Sequence, residues 1–514
     1  MSANTDLKKL KLYLPHLILL GLGLFVSMVL WNYRQGVPAE GDLGCFMGIA
    51  SHMHQGAWLY DTVWDNKAPG IFILHYIGQI FSNSPNYPIY ITIAFLSLCF
   101  GSVVFLLPKS NRYFYVLITA VCAYFLGEWL LFWELSFIGG FTEELGMLSL
   151  VTAAIWFLMG KNDTQRIISG LILGLAIFIK EPFALFVPAF WFAGAYRGLW
   201  NPKRIIQWHL LVAVPWLFFI LIYWASGRIE FIQEYLTGAF LYAGEGTATW
   251  DEFAKRWTHI QGFTNPMVQA YGGTWIWMLR VFMLRFIWLV YRKLRHKENY
   301  TVGSWYMIAA FALLASSVFL ALGAHAYLHY GMPFIAVYFF VLLLTIYDLI
   351  QLLKGPIWEP LRVLIFTSLV LFWGYPYYKS RMDAKPLQNN CAQNEKVEIK
   401  SKIPKGSTVF VDAEYLGRYY GYLNVKSSLR YPVPYYTFFY NPSDNQREDL
   451  VYHRMRFREE FLSNPPNYIL SKEAALKAPI FDFTRLKDFV NDHFELIDSA
   501  QTADNTFLYI RKMK

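Results

Sequence analysis

Residues 197–225 read RGLWNPKRIIQWHLLVAVPWLFFILIYWA. After the basic run that ends at Arg204, positions 205–225 hold no Lys, Arg, Asp or Glu, and about 20 apolar residues in a helix are what a crossing of the hydrocarbon layer requires. The pattern recurs. Apolar stretches near 11–31, 87–107, 112–128, 144–160, 166–180, 182–197, 204–225, 272–291, 302–322, 331–352 and 358–375 give eleven candidate crossings. Composition agrees: 56% hydrophobic, 19% aromatic and 16% charged residues in a chain of 514 are more apolar side chains than a soluble globule can hide.

The charges give the crossings a direction. A formal charge of +9 would suit nucleic acid, but much of the Lys and Arg lies in short runs between apolar segments, so nucleic acid is discounted as a partner. KKLK at 8–11, KSNR at 109–112, KNDTQR at 161–166, RGLWNPKR at 197–204, RKLRHK at 292–297 and Lys354 occupy every second loop, as cytoplasmic loops do. Loops 32–86, 129–143, 226–271 and 323–330 then form the opposite face, and they carry acids, histidines and aromatics. The apolar start of the chain reads as a retained first helix rather than a cleaved signal peptide. An odd number of crossings puts the C-terminal portion outside.

The expected fold is therefore an α-helical polytopic membrane module, residues 1–379, with first outer loop 32–86, followed from about 380 by a small soluble α/β domain to 514. In that domain TVFV at 408–411 and NYIL at 467–470 read as buried strands, 443–462 as an amphipathic helix, and FELIDSA with TFLYIRK as a closing strand pair. Stretch 70–82 is too short to cross and is expected at the interface. Segments 166–180 and 182–197 suggest a hairpin with Lys180, Glu181 and Pro182 at its tip, in a water-filled notch. The four cysteines, Cys45, Cys99, Cys122 and Cys391, show no metal spacing, and a disulfide between Cys45 and Cys391 is neither required nor excluded.

The outer loop carries the chemistry-bearing residues: EGDLGCFMGIASHMHQGAWLYDTVWDNKAPGIF, 40–72. An amphipathic helix starting at Asp42 would hold that carboxylate near the headgroups, as a helix cap or as a functional group. Asp61, Asp65 and Lys67 form a second cluster, either a surface ion pair or a cation with carboxylates in reach of a substrate phosphate. Lys180, at membrane depth, must pair or face water, with Glu181 as local partner or a phosphate as ligand. Glu143 and Glu144 open a helix, where a charge effect alone accounts for one of them. His325 and His329 could share a helical face, but a third metal ligand is not evident. His52 and His54 read as interfacial polar residues, and Trp58, Tyr60 and Trp64 as an interfacial belt or a sugar-stacking surface.

Asp42, Gly44, Phe46, Gly56, Leu59, Tyr60, Trp64, Asp65, Lys67 and Pro69 together resemble the first outer loop of the family 39-like glycosyltransferases of the GT-C superfamily, relatives of protein O-mannosyltransferases and of the lipid A aminoarabinose transferase. Leu43 stands where many relatives have an acid, and Ala68-Pro69 where they have two prolines. Thr142-Glu143, Lys180, His329-Tyr330 and Pro333 follow in the same order and on the same face. The resemblance implies transfer of a sugar from a polyprenyl-phosphate donor to a lipid, glycan or protein acceptor at the extracytoplasmic face. It implies Asp42 and Glu143 as catalytic residues, Lys67, Lys180, His329 and Tyr330 at the donor phosphate, and Asp65, Tyr60 and Trp64 as substrate-positioning. Direct displacement would invert the anomeric carbon. The resemblance names no certain cofactor; a divalent metal stays open. Bacterial members point to an inner membrane, with the endoplasmic reticulum as the other setting. A lipid or sugar transporter, and a membrane sensor or scaffold, are the competing classes.

Overall fold

The computed structural model describes residues 42–82, 84, 86–106, 140–245, 274–298, 300–322, 402–412, 414–433, 448–471, 481–482, 484–500 and 506–512, with scattered positions in 21–31 and 333–348. Expected crossings 112–128 and 358–375, most of 11–31 and 331–352, and His325, His329, Tyr330 and Cys391 lie outside the described residues.

The described residues are mostly helical, with a small sheet. Helices α1 (Asp42–His54) and α2 (Pro69–Phe81) come from the outer loop, followed by α3 (Tyr87–Leu106), α4 (Thr142–Met159), α5 (Asp163–Ile179), α6 (Val187–Arg197) and α7 (Pro202–Ala225). Three of these, α3, α4 and α7, are long and apolar enough to cross a membrane. Helix α7 starts where the Asn201 side chain accepts the Arg204 N–H at 2.9 Å with Pro202 in the first turn, a polar cap followed by a residue with no N–H to satisfy. Only 11% of its apolar window is buried. Leu217, Phe218, Leu221 and Trp224 face outward, which a hydrocarbon solvent favours and water does not.

Helices α8 (Ile229–Glu245), α9 (Thr274–His296) and α10 (Thr301–Leu322) complete the described bundle. Two expectations change. The stretch 182–197 begins as a 3-10 turn, Glu181–Phe186, with Pro182 near its start, and runs on without a break into the α-helical Val187–Arg197. Helix α8 falls in a stretch expected as loop, although Ile232, Tyr235 and Ala239 follow a helical spacing.

The two ends of the bundle differ in charge. At one, Arg197 Nη1 donates to Leu158 O at 2.9 Å, Arg204 pairs with Asp163, and Lys293 Nζ lies 5.6 Å from the Tyr196 ring centre. Lys161 and Arg166 sit in the same connection. At the other end, the start of α4 and the end of α5 meet α1 and α2.

In the C-terminal part, β1 (Val409–Val411), α11 (Arg418–Leu423), α12 (Glu448–Ser463), β2 (Tyr468–Ser471), α13 (Lys487–His493), β3 (Phe494–Ala500) and β4 (Thr506–Arg511) form a sheet of order β1-β2-β4-β3 with flanking helices. Strands β1 and β2 are parallel, Val409 opposite Tyr468, and the other pairs are antiparallel, as in Tyr468 opposite Ile510. Strands β1 and β2 are buried throughout: Phe457 and Phe461 of α12 pack on Phe410, while Tyr420 of α11 donates its hydroxyl to Pro432 O at 2.6 Å. This core is continuous with that of the outer loop. Phe46 and Ile49 of α1 belong to the same buried cluster as Phe410 and Tyr420. The contact is close because it is made by glycines: a Cβ on Gly417 would stand 2.5 Å from Gly44 O.

Candidate functional site

The first turn of α1 places Asp42 beside Lys67. Lys67 Nζ lies 3.4 Å from Asp42 Oδ1 and 3.6 Å from Asp65 Oδ1. The two carboxylates differ in setting. Asp65 is buried; its Oδ1 accepts the Lys67 N–H at 2.9 Å and its Oδ2 accepts the Cys45 thiol at 3.1 Å. Asp42 keeps 28% of its side chain exposed. Asp65 is thus the anchor of the turn and Asp42 the carboxylate open to a ligand.

The segment from 57 to 67 is held both by hydrogen bonds to its backbone and by the packing of its aromatic rings. Tyr60 adopts a left-handed backbone, φ 66, and donates its hydroxyl to Lys67 O at 2.6 Å. Burial pushes that hydroxyl well above its usual pKa, with the charge of Glu181 adding to the rise, so it stays a donor. The Tyr60 ring stacks on Tyr235 at 4.5 Å, and Trp64 lies 4.4 Å from His453. Both side chains are buried, and their packing shapes the turn around Lys67. Asp61 pairs with Arg228 at 3.0 Å.

A second pair stands at the start of α4. Glu143 is 1% exposed; it forms an ion pair with Lys180, which follows the last turn of α5, and accepts the Thr142 hydroxyl at 2.6 Å. The sequence neighbour of Lys180, Glu181, instead accepts the Tyr235 hydroxyl, which corrects the local pairing expected from the sequence: a residue beside a helix end points where its turn aims it, not at its neighbour. Glu144 instead ties down the approach to the helix, accepting the Gly140 N–H at 2.8 Å and the Thr92 hydroxyl at 3.1 Å.

The two pairs share a wall. The Phe46 ring lies 5.6 Å from Lys67 Nζ and meets Phe141, two residues before Glu143, at 6.5 Å. Gly70, three residues after Lys67, touches the α5 backbone two residues before Lys180; a Cβ there would come within 2.4 Å of Phe178 O. Lys67 and Lys180, 16% and 18% exposed, are thereby brought to one end of the bundle with Asp42 and Glu143. His329 and Tyr330 lie outside the described residues. Among the described residues no group of three metal-ligating side chains occurs.

His52 is not an interfacial residue. It is buried, its Nδ1 lies 2.7 Å from Gly48 O, and its Nε2 accepts the Ser427 N–H at 2.7 Å, which fixes a neutral tautomer with the proton on Nδ1. His54 remains exposed, 3.0 Å from Tyr76 O. Arg430, Glu234 and Tyr235 surround the outer turn without any local sequence signal. Compared with known proteins, the chain matches no family model and no curated sequence.

Proposed function

We propose that the protein is a membrane glycosyltransferase that moves a sugar from a polyprenyl-phosphate donor to a hydroxyl or amine acceptor on the extracytoplasmic side. The observation that carries this reading is the division of labour around Lys67: a buried carboxylate fixes the cation, and a second, accessible carboxylate stands 3.4 Å away. Asp42 takes the acceptor proton as the acceptor oxygen or nitrogen bonds to the anomeric carbon. The bond from that carbon to the phosphate oxygen breaks, and the electron pair leaves on a phosphate that needs charge stabilisation more than protonation. Lys67 and Lys180, with His329 and Tyr330, supply that stabilisation. Glu143 orients Lys180. Attack opposite the leaving group inverts the anomeric carbon.

The wider topology belongs to the same reading: eleven crossings, a cytoplasmic N-terminus and an extracytoplasmic C-terminal domain in a bacterial inner membrane. It is supported by the basic end of the bundle standing opposite the acidic clusters. The test is transfer from radiolabelled polyprenyl-phosphate sugars by purified wild type and Asp42→Asn. Transfer by wild type with a loss of about 10²-fold or more in the variant is the expected result. Equal rates would remove Asp42 from the chemistry, and retention of configuration would remove direct displacement.

A further inference from the structure

The C-terminal segment grips the outer loop at its left-handed residue. Tyr60 O accepts a hydrogen bond from Arg430 Nη2, and a left-handed backbone at a bulky residue persists only where its surroundings hold it. Arg430 is itself fixed from four directions. Its Nη2 lies 2.9 Å from Glu234 Oε2 of α8, its N–H donates to Glu460 Oε2 at 2.8 Å, its carbonyl accepts the Trp64 N–H at 2.9 Å, and its guanidinium lies 5.6 Å from the Phe231 ring centre. The side chain is 4% exposed, yet among the described residues Nε and Nη1 have no hydrogen-bond partner. A buried guanidinium left partly unmatched is a poor contributor to stability, so what it holds in place is the better account of it.

What it holds leads to Lys67. The Tyr60 carbonyl is fixed by Arg430, the Tyr60 ring by Tyr235, and the Tyr60 hydroxyl fixes the Lys67 carbonyl at 2.6 Å. We infer that Arg430 is a positioning residue: acting through Tyr60, it sets where the Lys67 amine stands relative to Asp42, and so makes the C-terminal segment part of the catalytic unit. This rests on the donor-phosphate role of Lys67 proposed above. Without Arg430 the turn can relax out of the left-handed region, carrying the Tyr60 hydroxyl and Lys67 with it.

The test uses the purified full-length chain as wild type, Arg430→Ala, Arg430→Lys, Tyr60→Phe and the Arg430→Ala/Tyr60→Phe double variant. The first measurement is the acetylation rate of Lys67 by a small amine-reactive ester, followed by mass spectrometry with exposed Lys405 as internal reference. The expected result is acetylation faster by about fivefold or more in Arg430→Ala and in Tyr60→Phe, no further gain in the double variant because both act on one path, and partial return in Arg430→Lys, whose amine still reaches one acceptor. The second is the donor KM in sugar transfer, expected to rise about tenfold in Arg430→Ala; a smaller folded fraction cannot mimic that rise. Unchanged Lys67 acetylation in Arg430→Ala, or additive effects in the double variant, would overturn the inference. Acetylation does not depend on turnover, so a wild type that transfers no sugar would overturn the proposed function while the coupling was still decided.

Discussion

Gly70→Ala places a single methyl group between the outer loop and the bundle. Its Cβ would lie 2.4 Å from Phe178 O, 2.6 Å from Phe178 C and 2.9 Å from Ile179 N. All three are backbone atoms, so no rotamer change relieves the overlap. Ordinary contact begins near 3.4 Å, and the start of α2 must therefore withdraw from α5 by about 1 Å, an overpacking that costs about 1–3 kcal/mol. Gly70 is helical, so backbone preference contributes nothing to the loss. The displacement falls between Lys67 and Lys180, and a shift of about 1 Å in a reacting constellation costs about 10²-fold in rate. The assay pairs thermal unfolding in detergent with kcat/KM for sugar transfer, using Gly101→Ala as control, where a Cβ meets nothing within 4 Å. A Gly70→Ala protein that unfolds and turns over like wild type would refute the close approach of α2 and α5 and with it the common placement of the two lysines.

Lys180→Met leaves Glu143 buried without its cation and is expected to destabilise the fold by about 3–5 kcal/mol; adding Glu143→Leu should restore the unfolding temperature but not transfer, and a stable, active single variant would contradict the pair. For His52, burial pushes the imidazole down to about 4, against a smaller rise from its bond to Gly48 O, while the unfolded chain titrates near 6.5. The unfolded state therefore takes up the proton first as pH falls: the stabilisation is complete above about 6.5 and is lost progressively toward 4, by about 2 kcal/mol between pH 7 and pH 5. A His52→Gln protein should lack that component, so parallel falls in unfolding temperature for the two proteins over this window would count against it.

Much of the architecture was legible in the sequence because hydropathy and period are local properties. Helices at Tyr87–Leu106, Pro202–Ala225 and Asp42–His54, and strands at Val409–Val411 and Tyr468–Ser471, stand within a few residues of where their patterns place them. Partners were not legible. Lys180 is paired with Glu143, 37 positions away, rather than with adjacent Glu181, and Arg430 reaches Tyr60 across 370 positions; such choices follow from how helices dock, which no spacing encodes. His52 was misplaced for the same reason, since a polar residue on an apolar helix looks interfacial until another segment covers it.

The shared core of α1 and the sheet also bears on biogenesis. Phe46 and Ile49 are buried in one cluster with Val409, Phe410, Leu508 and Tyr509, so the outer loop cannot complete its interior until residues more than 450 positions later have reached the same side. Closing so long a loop is entropically slow relative to pairing neighbours. During synthesis the loop bearing Asp42 and Lys67 would wait half-covered, with apolar surface open to chaperones and proteases. Assembly of the lysine–carboxylate cluster is thereby tied to completion of the sheet, and a chain stopped short of β4 would leave that cluster half-built.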